Sequence, residues 1–102
     1  HPGNSVYSAS KSAVIGMMKG LSVELASKKI RVNAVLPGMT DTPIIYGSEF
    51  TEEQLLSTKN QYPLKRAASP EEIAWAIIYF LSDASGFTTG ASLVVDGGFT
   101  VL

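Results

Sequence analysis

Ile30-Arg31-Val32-Asn33-Ala34-Val35-Leu36-Pro37-Gly38 is the stretch on which the fold class turns. Ile30, Val32, Ala34 and Leu36 alternate with Arg31, Asn33 and Val35, the period of a strand with one strongly apolar face, and Pro37-Gly38 stops it. Upstream the period changes. Residues 5–28 carry apolar side chains at helical spacing, with Val14, Met18, Leu21 and Leu25 on one side. Ala9, Ala13, Gly16 and Gly20 line the opposite side, where small residues let another backbone approach. Glycine inside a helix costs about 1 kcal/mol relative to alanine, so two of them imply a packing reason, helix-to-helix contact. Lys28 and Lys29 close the segment where cations complement the helix dipole.

Downstream of the strand, residues 40–62 mix turn residues with large apolar side chains: Ile44, Ile45, Tyr46, Phe50, Leu55, Leu56 and Tyr62. Thr42-Pro43 is a candidate start for a short helix, and Thr51 with Gln54 has the spacing of a capping box for another. Ser69-Pro70-x-Glu72 is a stronger start, combining cap residue, proline at the first helical position and reciprocal glutamate. It predicts a helix to about residue 82 that buries Ile73, Ala76, Ile77, Phe80 and Leu81. Gly86 and Gly90 punctuate a loop, and residues 91–95 read as a short buried strand before Gly97-Gly98. Two strands joined through helices imply a right-handed crossover and parallel pairing. Parallel strands require cover on both faces, which two strands cannot supply, so an upstream sheet is the expected neighbour.

The 102 residues allow one small domain, and 45% apolar with 17% charged residues is a globular composition. A net charge of −1 offers no basic patch, which argues against nucleic acid as a partner. The absence of cysteine excludes disulfides and thiolate metal sites and fits a reducing, cytoplasmic setting. One histidine, His1, makes no metal constellation, so no metal is expected. No apolar run approaches a membrane span.

Tyr7 and Lys11 stand four residues apart at the start of the first helix, which puts both head groups on one face. A phenol with a pKa of about 10 is a poor acid or base at neutral pH, but a neighbouring cation favours its phenolate. The plainer reading is an amphipathic tyrosine and a snorkelling lysine at a helix end. Open parallel α/β sheets bind ligands outside the carboxyl ends of their strands, where Pro37-Gly38-Met39-Thr40-Asp41-Thr42 falls. An ordinary strand-to-loop turn is the alternative. Asn33 reads as a structural hydrogen-bonding residue, and Asp96-Gly97-Gly98 as a turn and subunit-contact element.

The ordered set Tyr7-x-x-x-Lys11-Ser12-Ala13, the segment from Ile30 to Gly38, Ser69-Pro70-Glu71-Glu72-Ile73-Ala74 and Asp96-Gly97-Gly98 resembles the C-terminal part of the short-chain dehydrogenases/reductases over nearly the whole chain. The resemblance implies an α/β fold: the C-terminal part of a Rossmann-like doubly wound parallel sheet, ordered helix, strand, lid helices, helix, strand. Residues 1–102 then form a segment of one oxidoreductase domain, with residues 40–66 as a substrate-lid insert. It implies an NAD- or NADP-dependent oxidoreductase interconverting a small-molecule alcohol and ketone, with Tyr7 and Lys11 catalytic. Tyr7 exchanges the proton, Lys11 holds the nicotinamide ribose, and Pro37, Gly38, Thr40 and Thr42 hold the nicotinamide. Arg66 resembles a structural arginine that ties loop carbonyls or a carboxylate. The apolar insert favours a hydrophobic or cyclic substrate.

The family's glycine-rich phosphate turn and its catalytic serine are not found in the sequence, which begins with His rather than Met. It therefore reads as a fragment, inactive alone, of a homo-oligomeric enzyme, dimer or tetramer. A noncatalytic assembly module built on the small-residue helix face is the competing reading.

Overall fold

A computed structural model describes residues 4–43 and 50–102, with side chains from residue 8 onward. In chain order the elements are α1 (Asn4–Leu25), β1 (Ala34–Pro37), α2 (Glu52–Asn60), α3 (Pro70–Leu81) and β2 (Ser92–Val95), with single 3-10 turns at Ala26–Lys28, Asp83–Ser85 and Phe99–Val101. β1 and β2 pair in parallel, Ala34 opposite Ser92 through Pro37 opposite Val95. Among the described residues the order is helix, strand, one helix of the lid segment, helix, strand, in line with the expected sequence of elements, and α3 packs on both strands.

Both capping boxes form. Thr51 Oγ1 accepts the Gln54 N–H at 3.1 Å while the Gln54 side chain accepts the Thr51 N–H at 2.9 Å. Ser69 and Glu72 do the same at the start of α3, with Pro70 at the first helical position. These reciprocal bonds satisfy amide donors that a helix start leaves orphaned. The candidate helix start at Thr42-Pro43 runs into residues outside those described.

The first helix is shorter than its sequence pattern. Regular α-helix ends at Leu25 instead of continuing to Lys28, and residues 26–28 tighten into the 3-10 turn. Lys29, at φ 59°, reverses the chain, with its N–H donating to Ala26 O and that of Ile30 to Leu25 O. This is the paired-bond helix ending usually built on glycine.

The first strand is also shorter, Ala34–Pro37 against an expected residues 30–36. Residues 31–33 run beside the second half of the chain, but side chains carry part of the ladder. Val32 N–H donates to Thr89 Oγ1, and Gly90 N–H to Val32 O. Asn33 bridges the strands with its amide, donating to Thr88 O and accepting from Ala91 N–H, as the structural reading of Asn33 expects. The cause is Gly90, whose φ of +73° turns the partner strand away and whose missing side chain admits Ser22: a Cβ there would lie 2.8 Å from Ser22 Oγ.

Arg31 fixes the crossover. Its guanidinium donates to Phe80 O (2.9 Å) and Ser82 O (3.3 Å) at the C-terminal end of α3, and to Ser85 Oγ (2.9 Å) and Thr88 O (3.2 Å) beyond it. A cation at a helix C-terminus meets carbonyls with no partner in the helix and the negative end of its dipole. Ser85, 1% exposed, is the most buried side chain described.

The core is small: Met18, Leu55 and Ala76 are the buried apolar residues among those described. On α1, Met18 is buried and Leu25 half-buried, but Val14 is 56% exposed and Leu21 is exposed as well. On α3, Ala76 is buried and Ile73 and Phe80 are half-buried, whereas Ile77 and Leu81 are exposed, contrary to the burial their spacing predicts. A two-stranded sheet is too narrow to cover the whole apolar stripe of a helix. The Ala9, Ala13, Gly16 and Gly20 face of α1 also lies open, with nothing within 4 Å of a Cβ built on either glycine.

Arg31→Ala should lower stability by about 2–4 kcal/mol, because it removes charge-assisted bonds to part-buried carbonyls and orphans them. Urea unfolding of wild type and variant measures the difference, and Arg31→Lys should recover only part of it.

Candidate active site

The parallel register delivers the carboxyl ends of β1 and β2 to one edge. Gly38 N–H continues the ladder, donating to Val95 O at 3.0 Å, so the residue after β1 lies against Asp96, the residue after β2. A Cβ on Gly38 would stand 2.9 Å from Tyr62 Cε1 and 3.0 Å from both Cα and Cβ of Asp96. Glycine is required there by crowding.

A cleft of about 450 Å³ opens at this edge between α1 and the two strand ends, lined by Ser8, Lys11, Pro37, Gly38, Tyr62, Asp96, Phe99 and Thr100. Of the residues singled out in the sequence, it brings together Lys11, Pro37 and Gly38. Tyr7 belongs to α1 one turn before Lys11, and its side chain lies outside those described. Thr40 and Thr42 follow on the same segment, both half-buried, without forming walls of this cleft. Thr40 Oγ1 donates to Gly38 O at 3.1 Å, and Thr40 makes a parallel bridge with Ala68. In that bridge Ala68 N–H donates to Met39 O and Asp41 N–H donates to Ala68 O. The flanking residues serve Ala68, so the N–H and C=O of Thr40 itself point to the other side of the segment.

Asp96 and Tyr62 are among the wall residues not assigned to the site from sequence. Asp96 ends the neighbouring parallel strand, and the rule that located Pro37-Gly38 applies equally to it. Burial raises its carboxyl pKa, but hydrogen bonds from Thr100, the Gly98 amide and the Lys11 charge outweigh this and hold it below its ordinary value. An ionised carboxylate therefore shares the cleft with Lys11. Tyr62, counted in the sequence only among the apolar residues of the insert, stacks its ring 4.8 Å from Phe99 and accepts the Met39 N–H at 2.9 Å. Its signal was slight: the phenol of a tyrosine just beyond a helix end.

A second pocket of about 90 Å³ shares Tyr62 and Asp96 and is lined further by Met39, Leu64, Arg66, Ala68 and Glu72. Arg66 binds Glu72 with two bonds, 2.6 and 2.9 Å, and also donates to Ala67 O, so it ties both a carboxylate and a loop carbonyl. Glu72 joins this pair to the capping box of α3. The Arg66 hydrogen bond and the Ser69 amide lower its pKa from the ordinary 4.5 to about 2.

Known proteins resemble the chain in sequence and in fold. The family profile described as Enoyl-(Acyl carrier protein) reductase matches residues 1–100. The chain is 41% identical over 101 residues to 3-oxoacyl-(acyl-carrier-protein) reductase FabG of Thermotoga maritima, covering 99% of this chain and 40% of that protein. The chain belongs to the short-chain dehydrogenase/reductase family. Another member, the cis-4-hydroxycyclohexanecarboxylate dehydrogenase of Sinomonas cyclohexanicum, is 41% identical over 99 residues, 97% of this chain and 39% of that protein. A solved short chain dehydrogenase family protein from Francisella tularensis superposes with a TM-score of 0.84 at 36% identity, over 100% of this chain and 46% of that one. The fold is thus the α/β, Rossmann-like fold of the short-chain dehydrogenases/reductases, and the chain spans about two fifths of the length of the curated relatives it matches. Among the described residues no helix is long and apolar enough to cross a membrane.

Because Glu72's pKa is depressed in the folded state, its contribution to stability is full above 4.5 and is lost as pH falls towards about 2. Thermal melting of wild type and Glu72→Gln should therefore differ most at neutral pH and converge in acid. A constant difference across that range would contradict the assignment.

Proposed function

We propose that this chain carries the proton-transfer and nicotinamide-facing half of an NAD(P)-dependent oxidoreductase that interconverts an alcohol and a carbonyl. The observation that carries the reading is the cleft in which α1 presents Lys11 to the turn after β1, Pro37-Gly38, at the carboxyl edge of a parallel sheet. The family supports the class of reaction, and its members include reductases and alcohol dehydrogenases.

The residues fit such a cofactor. Gly38 lets Tyr62 and Asp96 close on the turn and complete the cleft wall, Thr40 turns a peptide donor and acceptor away from Ala68, and Lys11 brings a cation to that wall. When bound, the nicotinamide supplies or accepts a hydride at the substrate carbon. The chain's own residues manage the proton and the geometry. Tyr7, one helical turn from Lys11 on the same face, gives the substrate oxygen its proton in reduction and takes it in oxidation. The Lys11 ammonium favours the Tyr7 phenolate and holds the nicotinamide ribose hydroxyls. Pro37, Gly38, Thr40 and Thr42 seat the nicotinamide and its carboxamide, and residues 40–66 act as the lid over a hydrophobic substrate.

The phosphate-binding turn comes from sequence outside these 102 residues, so this chain alone is expected to show no turnover. The open faces of α1 and α3 are then covered by the remainder of the sheet, and the small-residue face of α1 pairs subunits of a homo-oligomer. In the full-length protein, Tyr7→Phe should lower kcat by about 10²- to 10⁴-fold, the value of general acid-base catalysis, with cofactor affinity little changed. Lys11→Ala should weaken cofactor binding and slow turnover together. Steady-state absorbance assays with a panel of ketones and alcohols, combined with cofactor titration, measure both. Undiminished turnover in Tyr7→Phe would refute the assignment.

A further inference from the structure

We propose that Tyr62 is a positioning residue of the cofactor site, a latch that ties the end of the lid to the turn after β1. The proposal rests on the functional reading above and adds a residue to it.

Three contacts converge on this side chain. Its phenolic oxygen accepts the Met39 N–H at 2.9 Å. Its Cε1 lies 2.9 Å from where a Cβ of Gly38 would stand, so the ring packs against the turn at a residue without a side chain. Its other neighbour is Phe99, at a centroid distance of 4.8 Å and tilted by 35°, a favourable aromatic pairing that fixes the ring from behind. Backbone bonds hold the base of the side chain, with Tyr62 N–H donating to Lys59 O at the end of α2 and Lys65 N–H donating to Tyr62 O. The ring is therefore fixed at both ends and half-buried between the two pockets.

The consequence lies in the neighbouring peptides. Met39 N–H is held by Tyr62 and Met39 O by Ala68, so residue 39 is clamped on both sides. The Tyr62 bond fixes the Gly38–Met39 peptide, whose Gly38 O accepts the Thr40 hydroxyl at 3.1 Å, while the Ala68 bonds direct the N–H and C=O of Thr40 itself. Loss of the phenol oxygen alone frees one side of the clamp while leaving the ring in place. The Tyr62 hydroxyl should therefore matter for the nicotinamide end of the cofactor and not for its adenosine end.

The test uses the full-length protein and its Tyr62→Phe variant, titrated with NADH, NADPH and ADP-ribose, which lacks the nicotinamide. The expected result is a weakening of about 3- to 10-fold for the reduced dinucleotide the wild type prefers, the size of one neutral hydrogen bond. Affinity for ADP-ribose should stay within about twofold. Equal weakening of all ligands, or no weakening of any, overturns the latch while wild-type binding upholds the functional reading. A wild-type protein that binds none of the three overturns the functional reading and the latch with it.

Discussion

The parallel pairing of β1 with β2 is the constraint from which the rest of the structure follows. Four residue pairs, Ala34–Ser92 to Pro37–Val95, place the ends of two strands side by side although 58 positions separate them in sequence. A parallel pair cannot be joined by a tight turn, so the connection must leave the sheet, and α2 and α3 occupy it. The same pairing sends Pro37-Gly38 and Asp96 to one edge and leaves a cleft against α1. Shifting the register by one residue would exchange the faces of the strand and separate Gly38 from Val95 O.

Much of this was legible in the sequence because the signals were local. Ser69-Pro70-x-Glu72 and Thr51 with Gln54 specify their helix starts through bonds that span three residues, and both form as read. The element order and the parallel sheet follow from alternation and connection length. The errors arose where distant residues intervene. The start of β1 is taken over by Gly90 and Thr89, more than fifty positions away; the end of α1 is a local exception, set by the left-handed Lys29. Ile77 and Leu81 have the spacing of buried residues, but burial depends on how much surface lies opposite, which periodicity does not encode.

The site divides in the same way. Pro37 and Gly38 could be placed by their position after a strand, and Lys11 by its helical spacing; the structure brings all three to one cleft. Asp96 follows a strand as Pro37-Gly38 does and was open to the same rule, whereas Tyr62 could not be assigned to the cleft from its neighbours in sequence. Asp96 reaches the cleft through strand pairing, and Tyr62 through the return of the chain after α2. The direction of Thr40's peptide is determined by the Ala68 bridge and not by its residue type.

Arg31 has a further consequence. Its bonds run from the start of the β1 segment to the last carbonyls of α3 and the loop beyond, while Asn33 joins the same segment to the start of β2. Three pieces of chain are thus joined through their ends, and none of them can fray without breaking bonds made by the other two. Fraying from helix and strand ends is the usual route by which small α/β units open locally. Here that route is closed at the amino ends of the strands, the end opposite the cleft, so amide protons at Ala34, Gly90 and Ala91 should exchange with solvent as one cooperative unit.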